Sequence, residues 1–250
     1  MKMKLLLFAL GLILLLNQCS KKDVKSTVAA NAANNKSVGA SAKDILSGQT
    51  FTTLQIEIVF MPGYAPDPTA LNNLTAFLNM LINKPGGIQI TQRVIEASGK
   101  TTITLDEIKA IEKANRITFN NGSNISIFIL YADATYSTAN IVGTAYRNTS
   151  LAIFGKTIVN SSGGLNQASR TKFETTVLEH EFGHLMGLVD LGTPMQINHL
   201  DAANDKHCNN ASCLMYFRTQ SNMMSGLLMS SPVPELDANC RNDLRANGGK

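Results

Sequence analysis

Along residues 53–187 the apolar positions switch repeatedly between a period of two and a period near 3.6, and each switch marks a predicted element. "TLQIEIVF" (53–60) alternates apolar and polar side chains and predicts a strand. Over 68–83, Leu71, Leu74, Leu78, Leu81 and Ile82 recur at helical spacing, with Pro68 near the start and "KPGG" past the end, which predicts a helix. "GIQITQRVIEA" (87–97) reads as another strand. Thr104, Asp106 and Glu107 stand where a capping box would, ahead of Ile108 and Ile111, and predict a short helix. "SNISIFILYAD" (123–133) is β-prone throughout and predicts a central strand, while "NIVGTAYRN" (140–148) and "TSLAIFG" (149–155) predict two short strands at an edge. A long helix follows from about 165 to 187. There is no internal repeat. This order predicts one α+β or α/β domain, a sheet with helices packed on it.

The N-terminal part follows other rules. "MKMKLLLFALGLILLLNQCS" holds two lysines, a run without polar side chains over 5–16, and then Cys19. The run is too short to span a bilayer and suits an export signal over 1–18. Residues 19–48 are rich in Ser, Ala, Asn and Lys with few large apolar side chains, and predict a flexible tether ahead of a folded domain over 49–250. The formal charge of +4 includes the lysines of the signal, so the mature chain is nearly neutral. With no basic stripe, nucleic-acid binding is not expected.

The chemistry concentrates in "TTVLEHEFGHLMGLVDLG" (175–192). His180 and His184, four apart on the long helix, leave the same face and together suit zinc. Glu181 is rotated by about a third of a turn from His180. It cannot share the ligand direction but can reach water at the metal, the placement of a general base in metal-assisted hydrolysis. Gly187 can end the helix in the left-handed conformation and turn the chain so that Asp190 becomes a third ligand, with a fourth position open to water. His207 could replace Asp190 if the Gly187 turn did not form, and His199 is most simply a loop residue. Leu178, Phe182, Leu185 and Met186 surround the polar trio and predict a largely buried helix.

"HEFGHLMGLVD" resembles the extended motif of the metzincin clan of zinc metallopeptidases, in the snapalysin-like variant with aspartate as third ligand. The resemblance implies a zincin fold: a twisted mixed sheet, a backing helix and an active-site helix in an N-terminal subdomain (49–187), and a small irregular C-terminal subdomain (188–250). It also implies a methionine turn beneath the zinc, which Met215 in "CLMY" fits, and an edge strand within 143–154 that binds extended peptide. "HCNNASCLM" (207–215) and "CRND" (240–243) resemble the archaemetzincin branch, whose cysteines bind a second, structural zinc. Cys208, Cys213 and Cys240 match, with Asp243 where the fourth cysteine would stand. That branch has histidine as third ligand, followed directly by the cysteine element, whereas here an insertion separates Asp190 from Cys208. The position of Cys19 resembles the lipidated cysteine of bacterial lipoproteins.

If Cys19 is lipidated, three cysteines remain and cannot all pair. Export favours a Cys208–Cys213 disulfide with Cys240 free. The alternatives are a bridge from either residue to Cys240, or a second zinc on the three cysteines plus His207 or Asp243. The expectation is a monomeric zinc endopeptidase acting on peptide or protein substrates, exported to a bacterial envelope and anchored by lipid at the outer membrane or cell surface. The competing expectation is a zinc-containing surface lipoprotein that binds peptide or glycan without cleaving it.

Overall fold

The computed structural model describes residues 32–220, 226 and 228–250. The expected export segment, Cys19 and the first part of the expected tether lie outside the described residues. The frame is a five-stranded sheet of β1 (Thr53–Phe60), β2 (Ile88–Val94), β4 (Asn124–Ala132), β6 (Gly143–Arg147) and β7 (Ser150–Phe154), in the order β2-β1-β4-β7-β6. β6 runs antiparallel to β7 at one edge, and every other pairing in this sheet is parallel. A small separate pair joins β3 (Thr102–Ile103) to β5 (Thr135–Tyr136). The helices are α1 (Ala42–Leu46), α2 (Pro68–Leu81), α3 (Leu105–Asn115), α4 (Gly155–Asn160), α5 (Arg170–Leu185) and α6 (Ala238–Ala246).

β4 shows why the sheet sits where it does. Ile125, Ile127, Ile129 and Tyr131 enter a core shared with α1, α2 and α5, while Phe128, Leu130 and Ala132 enter a second core with Ile108 of α3. Alternate side chains of a strand point to opposite faces, so a strand covered on both reads as one apolar run. The helix starts also follow local chemistry. Asp67 accepts from Thr69 N and Ala70 N, with Pro68 in the first turn of α2, and the Thr104–Glu107 capping box opens α3. The long helix starts at Arg170, where the Ser169 side chain accepts from Lys172 N, and α4 occupies part of the approach to it.

The tether drawn to residue 48 is corrected, because residues 32–48 pack into the fold. Asn34 donates to Asn120 Oδ1 (2.8 Å) and Thr149 Oγ1 (2.9 Å), and Asn148 donates to Ala33 O and Ser41 Oγ (both 2.8 Å). Ile45 and Leu46 are fully buried in the main core. The segment looked like linker because its first part is held by polar contacts, and its apolar anchors come only at Ala42, Ile45 and Leu46.

Candidate metal centre

From Phe173 to Leu185 every residue of α5 is buried. A helix buried all round leaves its polar groups no water, so His180, Glu181 and His184 require partners within the protein. His180 Nε2 and His184 Nε2 lie 3.1 Å apart. His207 completes the group, with ring centroids 5.4 Å from His180 and 5.3 Å from His184, and ligand nitrogens of all three rings lie within 4.8 Å of one another. His180 Nδ1 donates to Leu214 O and His207 Nδ1 to Asp205 O, each at 2.8 Å. Each bond fixes the tautomer and leaves an Nε2 lone pair for a ligand. His207 Nε2 is buried without a hydrogen-bond partner. Burial lowers the pKa of all three imidazoles, for His180 to about 3 with help from His207. Neutral rings are the form that binds a metal. Nitrogens about 2.0 Å from a tetrahedral zinc lie roughly 3.3 Å from each other, so this donor set fits that ion.

Asp190, the expected third ligand, does not join the group. The Gly187 turn does form, with φ 79°, and Leu188 N donates to Gly183 O at 3.0 Å. A Cβ at Gly187 would lie 2.6 Å from Thr193 N, so the turn requires glycine. Beyond it, Leu188 and Val189 are fully buried, and Val189 (φ 56°) and Asp190 (φ 68°) are both left-handed. Burying the two apolar side chains turns Asp190 out to solvent. His207 therefore reaches the site with the turn intact, carried by the inserted loop. Thr193 N bonds Gly187 O (3.0 Å), and Asp201 N bonds His207 O and Asn209 N bonds His199 O at 2.8 and 2.9 Å. The insertion thus precedes the third histidine, and Cys208 follows that histidine directly.

Glu181 is fully buried. Its Oε2 accepts from Ala145 N of β6 at 2.6 Å, and Oε1 has no hydrogen-bond partner. Burial raises its pKa to about 8 against the opposing pull of that N–H. β6 comes this close because Gly143 has no side chain: a Cβ there would lie 2.7 Å from Val177 Cγ1 and 2.9 Å from Glu181 Cγ. A cavity of about 190 Å³ opens on Glu181, His184 and His207, with Thr144 and Val38 on its walls. Met215 lies under α5, where a Cβ on Gly183 would fall 2.3 Å from its Sδ. Neither Gly143 nor Gly183 carries any mark in the sequence beyond being small.

The expected Cys208–Cys213 disulfide is corrected as well. Cys208, Cys213 and Cys240 are free and buried, and Cys213 Sγ and Cys240 Sγ stand 3.6 Å apart against about 2.05 Å in a disulfide. The three sulfurs converge with an oxygen of Asp237, all within 4.8 Å of one another. Hydrogen bonds from Cys208 and Cys240 favour the thiolate form of Cys213. Asp243 points elsewhere, to His199 Nε2 at 2.7 Å. His199 lies in a loop, as expected, and is buried there.

No protein-family model matches the sequence, and no curated protein does. Solved structures do match. The crystal structure of archaemetzincin from Methanopyrus kandleri aligns with a TM-score of 0.51 over 78% of this chain and 96% of that one, at 13% identity. The fold is a metzincin-like zincin fold. In that frame α5 is the helix that carries the imidazole group, β6 the edge strand beside it and α2 a helix packed against it. The imidazole group and the sulfur group are the two places in the zincin frame, among the described residues, where ligand atoms gather for a metal.

Proposed function

We propose that the protein is a zinc-dependent endopeptidase in which His180, His184 and His207 hold the metal and Glu181 is the general base. The observation that carries this reading is the convergence of three neutral imidazoles beside a buried, unpartnered carboxylate oxygen on the same helix. When bound, zinc would supply Lewis acidity, lowering the pKa of water and polarising a peptide carbonyl. Glu181 moves the proton. The Ala145 N–H holds Oε2, so Oε1 is left to accept the proton of the attacking water. Burial strengthens its hold on that proton until it passes to the leaving amine. β6 pairs with β7 alone in the sheet, so its other edge offers main-chain donors and acceptors to an extended peptide.

Zinc content and peptide hydrolysis test the reading together. His207→Ala should lose one zinc per chain and Asp190→Ala none; the reverse would restore the aspartate as ligand. Glu181→Ala should keep zinc and lose hydrolysis by roughly 10²- to 10⁴-fold, and full turnover in that variant would remove its role. A surface lipoprotein that binds peptide without cleaving it is the second reading, and the presence of Glu181 argues against it. We also infer export and lipid attachment at Cys19, supported by the N-terminal pattern. Labelling with a radioactive fatty acid should disappear in Cys19→Ser, and labelling that persists would refute attachment there. The imidazole group and Glu181 come from one chain, which supports action as a monomer.

A further inference from the structure

Three sulfurs make an incomplete tetrahedral site, and the resemblance to archaemetzincin offers only Asp243 at the fourth position. We propose that this chain completes a second zinc site with His199 Nδ1, with Asp243 as the carboxylate that orients His199. The inserted loop then supplies the ligand and is fastened by it.

Distances support this ligand set. His199 Nδ1 lies 3.4 Å from Cys208 Sγ and 4.0 Å from Cys240 Sγ, and Cys213 Sγ lies 3.6 Å from Cys240 Sγ. Around a tetrahedral zinc with bonds of about 2.3 Å to sulfur and 2.0 Å to nitrogen, sulfurs stand roughly 3.8 Å apart and sulfur and nitrogen roughly 3.5 Å apart. His199 is 1% exposed, and the partners of its Nδ1 are those sulfurs. Its other ring nitrogen is held by Asp243, itself 1% exposed, at 2.7 Å. A carboxylate on the outer nitrogen of an imidazole is the arrangement that fixes a metal-binding histidine.

Asp237 is the rival, because it has an oxygen within 4.8 Å of all three sulfurs and its Oδ2 accepts from Cys208 Sγ at 3.4 Å, while the contacts of His199 Nδ1 are with Cys208 and Cys240. Its carboxylate has other work. Oδ1 accepts from Cys240 N at 2.9 Å as the cap of α6, and Oδ2 accepts from Asn210 Nδ2 at 3.0 Å. His199 has no such competing partner on Nδ1. Asp243 therefore does not replace the missing cysteine as a ligand. It also accepts from Gln196 N at 2.7 Å, so the same carboxylate ties down the inserted loop at a second point. Because Cys208 adjoins His207, the second site would hold the loop end that carries the third imidazole of the first site. That link rests on the proposed function; the ligand set does not.

Cobalt substitution of the full chain tests the set, since a thiolate-to-cobalt charge-transfer band arises only where sulfur touches the metal. The band thus reads the second site whether or not the first binds zinc or cleaves peptide. Wild type should show the band and Cys240→Ser should lose much of it. His199→Ala should weaken cobalt binding there at least about tenfold, and Asp243→Asn by roughly 10- to 100-fold. Asp237→Asn, which keeps a good helix cap, should leave the band in place. His199→Cys, which tests the position even if the alanine variant fails to fold, should strengthen the band. No band in wild type, or recovery of a cysteine disulfide in its place, would overturn the site. Loss of the band in Asp237→Asn with retention in His199→Ala would assign Asp237 instead. Zinc at the first site should bind about tenfold more weakly in His199→Ala, and unchanged affinity there would overturn the link alone.

Discussion

Gly183 stands between the two helix histidines, and Met215 fills the space its missing side chain leaves. An added Cβ would force the thioether to move in a core that is fully closed at this point. Gly183→Ala should therefore cost about 1–3 kcal/mol. In a chain of this size that lowers Tm by roughly 2–4 °C per kcal/mol. Met215→Ala in the same chain should recover part of the loss, a coupling of about 0.5–3 kcal/mol. Strict additivity would show that the contact does not exist. At this scale the sequence exposed the cluster of His180, Glu181 and His184, since the three are related by helical spacing alone. It also pointed to Asp190, which does not join that cluster. Asp190 sits at motif distance, but spacing does not register that Leu188 and Val189 compete for the interior and turn it outward.

Among the elements, α3 shows a local signal carried into the fold unchanged. Thr104 N donates to Glu107 Oε2 at 2.7 Å, and that bond, with Lys100 and the Thr104 hydroxyl, lowers the Glu107 pKa from its ordinary 4.5 to about 2. A carboxylate depressed in the folded state stabilises fully above pH 4.5, and its contribution fades as pH falls through about 2. Glu107→Gln should flatten the fall of thermal stability over that acid window, and an unchanged slope would show that the box does not act through ionisation. β6 was readable only in part. Its strand character is local, but its place beside Glu181 depends on Gly143 meeting a helix more than thirty residues away. The burial of α5 on every side could be anticipated from the apolar residues around its polar trio.

Across the whole molecule, one lysine ties the end of the N-terminal segment to the turn after α2. Lys84 Nζ donates to Asp44 O (2.6 Å), Ser47 O (2.5 Å) and Phe51 O (2.7 Å). Burial draws its pKa down to about 8, which leaves the three-donor ammonium in place at neutral pH. Lys84→Met removes the donor from three carbonyls and should cost at least about 2 kcal/mol, with hydrogen exchange rising first at residues 42–51. Unchanged exchange there would mean the segment is held by Ile45 and Leu46 alone.

The sequence by itself determined the order of strands and helices, the caps of α2 and α3, and the shared face of His180 and His184. Each depends on residues within a few positions of one another, where backbone geometry alone relates side chains. Only the tertiary structure decided that His207 faces that pair, that three free cysteines converge with Asp237 while His199 touches two of them, and that residues 32–48 are packed. These outcomes depend on which groups far apart in the chain win the interior. Burial of apolar side chains and pairing of buried polar ones settle that competition, and neither is encoded at any fixed spacing.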